Sequence, residues 1–291
     1  MAAEDLRTIS LQTIPDAIRL LNESSHGTSL EYHLDFFGFL SLQGYWNFSN
    51  THSLIRYIDG EPAAIILVCT DVETREAYIL YWGNLPRFRT RKIAQELFDA
   101  CCSRLSEDGF VTLYGVSVAD RPVRRYRFIQ ALPQHLMFDM ECASLQLPDP
   151  DSTFVVRRVD ADQVSRLAVS SEERFDWPQR PHFLLHAAPL LQFFGAFSGD
   201  TLKAYAVVLP GTSMNPALQD IRSSESSFGH GYELLRHIFV QPYPSPCLAT
   251  SVFDQSYSHR LLTASGFSVK RQFSSLIRDL RTTCAPAAPT A

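Results

Sequence analysis

The sequence predicts an α+β protein built from two copies of one strand-and-helix pattern. Two observations carry this reading. Strand-type and helix-type hydrophobic periods recur in the same order before and after a stretch rich in Pro, Asp and Ser, LPDPDS at 147–152. Each half also holds an apolar run that ends in a turn opening into a helix: WGNLPRFRTRKIAQELFDAC at 82–101, and ALQDIRSS followed by GYELLRHIFV in the second half. A repeat of element order at this length argues for two domains, 1–147 and 153–281, with residues 282–291 as a disordered tail.

In the first half, SLQTIPDAIRLLNESSHG reads as a strand followed by an amphipathic helix that buries Ile18, Leu20 and Leu21. The aromatic stretch 30–50 fits either a helix or a packed loop. Three strand-type runs follow, with a hairpin turn at Asp59-Gly60 and a third run over Ala77–Trp82. A helix from Arg91 to about Leu105 stops near Gly109. FVTLYGVSV is a buried strand, RPVRRYRFIQAL a short helix, and HLMFDMECASL a final strand. The second half repeats strand and helix (TFVVRRVDADQVSRLAVSSEE), a hairpin turning at Gly199-Asp200, and a strand and helix. It ends with PCLATSVF, a helix closing at Gly266, and the last strand SVKRQFSSLIRDL.

Composition sets the class. The chain is 45% hydrophobic and 20% charged, ordinary for a soluble globular protein, and no apolar run reaches the ~18 residues of a membrane helix. The acidic N-terminus has no secretory character. The six cysteines show no metal-ligand spacing and read as reduced thiols of a cytoplasmic protein, with no metal site expected. Net charge is −5, yet residues 87–127 hold nine Lys/Arg against five Asp/Glu. A local basic patch on an acidic chain points to a local anionic ligand rather than to general nucleic-acid affinity.

The turn after Trp82 supplies that patch. The first turn of a helix presents N–H groups and the positive end of its dipole, and Arg87, Arg89, Arg91 and Lys92 surround this one. A pyrophosphate or phosphate ester suits it. The bland alternative is a solvated basic helix face.

At this turn the sequence resembles the GCN5-related N-acetyltransferases, whose hallmark is a strand, a loop of the form Arg/Gln-x-x-Gly-x-Gly/Ala and a helix. Here the loop aligns as Arg89-Thr90-Arg91-Lys92-Ile93-Ala94, with Lys92 in place of the middle glycine. The second half offers Ser226-Ser227-Phe228-Gly229-His230-Gly231, which keeps the glycines and lacks the leading cation. The ending SYSHRLLTASGF is similar to the family's last helix, which commonly closes in Gly-Phe. The resemblance implies two tandem mixed-sheet domains with helices on both faces. It also implies binding of acetyl-CoA or another acyl-CoA, and transfer of the acyl group to the amine of a small molecule or amino acid.

The resemblance further implies that Tyr81, Trp82, Gly83 and Leu85 lie nearest the acyl group, with Phe88 and the 89–94 loop on the phosphates. Phe228, Gly229, His230 and Gly231 would be their counterparts in the second copy. For proton transfer the candidates are Tyr126 as acid, with core packing as its alternative, and Glu76, Asp139 and Glu141 as carboxylates. Strand alternation puts Asp139 and Glu141 on one face, opposite Met140. Leu262 occupies the second copy's tyrosine position. His230 fits either a phosphate contact or an exposed turn. The aromatic residues of 30–48 fit an acceptor-side wall or core. Other readings keep the fold with an aminoacyl-tRNA or carrier-protein donor, or leave a non-catalytic binder; Arg121, Arg124, Arg125 and Arg127 fit an RNA backbone. No Ser/His/Asp hydrolase pattern is apparent in the sequence.

Overall fold

The computed structural model describes residues 5–26, 31–118, 132–169, 176–210, 216–239 and 246–281. The basic helix at 121–132, with Tyr126, and the expected tail at 282–291 lie outside the described residues, apart from the main chain of Leu132.

The chain forms two compact units, residues 1–134 with 275–291, and residues 135–274. This differs from a division at the 147–152 stretch, and the reason is one long strand. The twelve-residue β12 (Ser268–Asp279) spans the unit boundary. Its start lies beside β6 (Leu132–Cys142), where Lys270 pairs with Glu141 at 2.7 Å. Beyond its other end, the Leu280 N–H donates to the Val111 carbonyl at 2.9 Å, just ahead of β5 (Thr112–Val118). Linear halves therefore cannot be the compact units: each takes its closing strand from the other half of the sequence.

In the first unit, β1 (Asp5–Thr8), β2 (Leu54–Ile58), β3 (Glu61–Asp71) and β4 (Glu76–Asn84) pair antiparallel, and β4 pairs parallel with β5. The turn at Asp59-Gly60 has φ of 51° and 81°, the left-handed geometry a two-residue hairpin needs. Strand β3 is buried along nearly its whole length, so both faces of the sheet are covered. Ala64, Ile66 and Val68 pack with Leu97, Phe98 and Cys101 of α3 (Arg91–Glu107). By alternation Ala63, Ile65 and Leu67 face the other way, where α1 (Ile14–Ser25) packs through Ala17, Leu20 and Leu21. Ile18 is only half-buried.

SLQT does not extend the first strand. Thr13 Oγ1 accepts from the Ser10 N–H at 2.8 Å and donates to the Thr8 carbonyl at 3.0 Å, so the two short polar side chains close a turn instead. The aromatic stretch is a helix, α2 (Phe36–Trp46), capped by Asp35 at the Gly38 N–H (2.7 Å) and ended by Asn47 at φ 48°. Only Phe39 of α2 is buried.

The second unit repeats the order: β7 (Phe154–Arg158), α4 (Ala161–Val169), α5 (Pro181–Ala187), β8 (Gln192–Ser198), β9 (Thr201–Leu209) and β10 (Ala217–Ser223), then α6 (Gly229–Phe239), β11 (Cys247–Phe253) and α7 (Tyr257–Ala264). Strand β10 pairs antiparallel with β9 and parallel with β11, which in turn pairs with β6. Leu234, Leu235 and Ile238 of α6 and Tyr257, Leu261 and Leu262 of α7 form one core with the sheet.

That core explains Gly231. A Cβ there would lie 2.5 Å from Leu261 Cδ2 and 2.7 Å from the Tyr257 hydroxyl, so the close approach this glycine permits is to α7. Gly231→Ala should therefore lower the denaturant midpoint, by ~1–3 kcal/mol of stability, through overpacking. Unchanged stability in an unfolding titration would mean the space beside Gly231 is open.

Candidate active site

The two parallel strand pairs set the geometry. In the first unit the β3–β4 register steps from Leu67↔Tyr81 to Val68↔Ile79, so Leu80 is an extra, bulged residue. The parallel pairing of β4 with β5 runs from Glu76↔Thr112 to Ile79↔Gly115 and stops there. A bulge bends and twists its strand. The two strands thus part at Leu80, forming a wedge. On β5, two residues past the last pair, Ser117 is 5% exposed and its hydroxyl has no partner among the described residues.

Beyond the bulge, Tyr81 and Trp82 point to opposite faces. Trp82 packs at 5.2 Å from the Phe98 ring of α3. The Tyr81 hydroxyl lies 2.7 Å from Ser24 Oγ at the end of α1, and the Tyr32 ring meets Tyr81 edge-on at 5.5 Å. Burial pushes the Tyr32 hydroxyl up to about 12, with Tyr81 adding to it. Gly83 makes room for this pair, since a Cβ there would sit 2.7 Å from both hydroxyls. Glu76 accepts from the Tyr114 hydroxyl at 2.7 Å. Four residues of strand, roughly 13 Å, separate it from Leu80, too far for direct proton transfer at the wedge.

The strand leads through the Pro86–Phe88 turn to α3. Leu85 is buried, its N–H donates to the Ala63 carbonyl and its own carbonyl accepts from Phe88 N–H, both at 2.9 Å, so Leu85 supports the turn rather than contacting a ligand. Thr90 caps α3 by accepting from the Ile93 N–H at 3.3 Å, and the Ala94 N–H is spent within the helix on the Thr90 carbonyl. The helix head presented to an anion is therefore at Arg91 and Lys92. Arg87 pairs with Glu61 at 2.5 Å and Lys92 with Glu96 at 3.7 Å. Both cations are exposed, in surface pairs of the kind worth ~0–1 kcal/mol that can be exchanged for a phosphate. Arg89 donates to the Ser24 carbonyl at 3.3 Å, tying the basic turn to the end of α1.

The loop of the second unit is built differently. Gly229 lies against Phe154, whose ring carbon is 3.0 Å from where a Cβ would stand. His230 is 2% exposed, its ring tilted against Phe154 with centroids 4.1 Å apart, and burial holds its pKa below the ordinary value. It is neither an exposed turn residue nor a cation for phosphate. Phe228 packs on Tyr257 at 5.6 Å, and the Tyr257 hydroxyl donates to the Ser227 carbonyl at 3.3 Å, closing the loop onto α7. The residue just before this loop is Glu225, paired with Lys203 at 2.9 Å. A carboxylate there opposes a second anion.

Asp139 and Glu141 do share a face, with Met140 buried on the other. They belong to the second unit, on β6, where Asp139 pairs with Arg271 and Glu141 with Lys270. A Ser/His/Asp trio that the sequence did not show comes together in the first unit: His52 lies 2.8 Å from Ser49 Oγ and 2.8 Å from Asp108. Ser49 Oγ also accepts from the His52 N–H at 3.4 Å, so it caps a turn at the far end of α3, ~25 Å from Thr90.

The second wedge has the same bulge. The β9–β10 register steps from Val208↔Leu218 to Val207↔Asp220, leaving Gln219 extra, and the β10–β11 pairs end at Leu218↔Ala249. Here the interior is filled with polar side chains from a segment that sequence reading passed over. Its signal was Asp176-Trp177-Pro178-Gln179, an N-cap residue and proline opening a single turn. The Gln179 Nε2 donates to the carbonyls of Gln219 (3.1 Å) and Ser251 (3.0 Å), one on each parted strand. Its Oε1 accepts from the Asp176 N–H at 3.2 Å and from Arg222 at 3.4 Å. Arg222 Nε pairs with Asp220 at 3.0 Å, which also accepts from the Tyr205 hydroxyl at 2.7 Å.

Burial raises the Asp176 carboxyl to about 6, against hydrogen bonds from Trp177 and Ser251 that favour its ionised form. A native pKa above the unfolded one means the native chain holds a proton that the unfolded chain has lost, from about pH 4 to pH 6. Stability should fall as pH rises through that window. Asp176→Asn should flatten the decline and add on the order of 2 kcal/mol at pH 7.5, read from denaturant melts across pH. A variant with the wild-type slope would show that another group titrates.

No protein-family model matches the sequence, and no curated protein sequence matches it. Solved structures do. A tandem GNAT protein from the clavulanic acid biosynthesis pathway superposes with a TM-score of 0.69 at 12% identity, over 98% of this chain and 100% of that one. A GCN5-related N-acetyltransferase from Sphaerobacter thermophilus gives 0.67 at 13% identity, covering 96% of each chain. One from Anabaena variabilis gives 0.63 at 14%, over 95% of this chain and 73% of that one. No helix among the described residues is long and apolar enough to cross a membrane. Parted parallel strands in both units and a match spanning nearly the whole chain establish that this protein has the tandem GCN5-related N-acetyltransferase fold.

Proposed function

We propose that the protein is an N-acyltransferase that takes an acyl group from acetyl-CoA, or another acyl-CoA, and transfers it to the amine of a small molecule or amino acid. The donor is held by the first unit. The observation that carries this is the parting of β4 from β5 at Leu80, on the strand that leads to the basic turn heading α3. An extended chain of amides, such as the pantetheine arm, can lie along a strand whose neighbour has turned away, as an added strand does. Tyr81, Trp82 and Gly83 carry that edge, and Arg89, Arg91 and Lys92, at the end of the same path, suit the phosphates. The Ser117 hydroxyl, without a partner among the described residues, fits a polar ligand group within the wedge.

In the transfer the amine nitrogen bonds to the thioester carbon, the carbon–sulfur bond breaks, and the departing thiolate takes up one proton, balancing the one that the amine loses. The amine's own proton goes to water or to a hydroxyl. The Tyr81–Ser24 hydroxyl pair stands on the α1 face just past the bulge, and Tyr32 and Tyr81 give that face an aromatic wall. Trp46 of α2, stacked at 6.2 Å on Tyr78, extends it, which favours an acceptor with an apolar body.

Thiol release from acetyl-CoA in the presence of a panel of primary amines tests the reading; no amine-dependent release would contradict it. Arg89→Ala with Arg91→Ala should weaken acetyl-CoA binding by ~1.5 kcal/mol, roughly tenfold, for each charge-assisted bond lost, and the deficit should shrink as salt rises. Wild-type affinity in the double variant would remove the basic turn from the site.

A further inference from the structure

We infer that Gln179 is an internal latch that fills the second unit's wedge, so that the chain holds one donor rather than two. The latch is a statement about the second unit alone; the count of one rests on the donor site proposed above.

The argument begins with what parted strands require. At the bulge of β10 and on the diverging edge of β11, main-chain carbonyls lose their ladder partners and need donors from elsewhere. The carbonyls of Gln219 and Ser251 find them in one side chain. A primary amide has two N–H donors and two acceptor positions. Gln179 uses all four: two on the parted strands, one on its own turn at Asp176, and one on Arg222. An amide so fully committed belongs to the fold. It stands between the strands as an amide of an extended ligand would.

Three features keep it there. Gln179 is 3% exposed and Trp177, in the same turn, is also 3% exposed, so the turn itself is core. Arg222, 4% exposed, is fixed by Asp220 and cannot follow a departing partner without leaving its own ion pair. Ser251 holds φ 56°, a left-handed geometry unfavourable to serine, at the irregularity of β11 opposite β6. The Gln179 bond accepted by its carbonyl helps to hold that conformation. The first unit shows the opposite state at its wedge: a buried serine hydroxyl, Ser117, without a partner among the described residues.

Hydrogen–deuterium exchange read by mass spectrometry decides this. Gln179→Ala should speed exchange in peptides covering 217–223 and 247–253 roughly tenfold, as a hydrogen-bonded unit is loosened. Peptides covering 54–84 should not change. Should the alanine variant fail to fold, Gln179→Met keeps the volume and removes all four bonds, and the same acceleration is expected. In the wild type, saturating acetyl-CoA should slow exchange in 76–95 and leave 217–239 unchanged. Protection of 217–239 by acetyl-CoA would overturn the latch, as would wild-type exchange at β10 and β11 in the folded variant. Loss of the effect at 76–95 alone would instead contradict the donor site of the first unit.

Discussion

Two parallel strands that pair for a few residues and then part are the constraint on which the rest of this structure depends. Parallel pairing is satisfied by evenly spaced hydrogen bonds, and a single extra residue on one strand ends it. Everything beyond the bulge must then be satisfied by something other than sheet. That demand arises twice in this chain, at Leu80 and at Gln219, and it is met in two ways. Around Leu80 the neighbouring elements supply hydroxyls, an aromatic face and a basic helix head. Around Gln219 they supply a glutamine whose amide closes the gap.

The two loops that follow the strands diverge in the same direction. The first carries exposed cations in weak surface pairs and a threonine cap, arrangements that accept a phosphate at little cost. The second has Glu225 just before it and spends its glycines on packing against Phe154, Leu261 and Tyr257. A glycine signature that suggests close approach to a ligand can equally mark close approach of two helices. Only the neighbours decide which, and here they are side chains of the same core. The unit with the better-preserved glycines is thus the one whose groove is filled.

Much of the fold was legible in the sequence because it was written locally. The Asp59-Gly60 hairpin, the α3 helix from Arg91, the stop at Gly109 and the Gly266 ending each follow from a few adjacent residues with definite dihedral preferences. Tandem repetition was legible for the same reason. The division into units was not, since nothing in the composition of β6 or β12 says which strands either will lie beside. Nor was the bulge at Leu80, an apolar residue inside an apolar run, whose register depends on its partner strand. The site was half legible. Charge and turn chemistry marked Arg89, Thr90 and Arg91, whereas Ser24 and Gln179 act through contacts 40 to 72 positions away, and Ser117 through a hydroxyl without a partner among the described residues. Glu76 was readable as a strand carboxylate, but its distance along β4 from the parting point needed the register.

The claim at the centre of this account is that one wedge is open and the other closed. Calorimetric titration of the purified chain with acetyl-CoA, read for stoichiometry, tests it most directly. The account predicts one equivalent bound per chain. Two equivalents would mean that the Gln179-filled wedge opens to ligand after all, and no binding by the folded chain would contradict an acyl-CoA donor altogether.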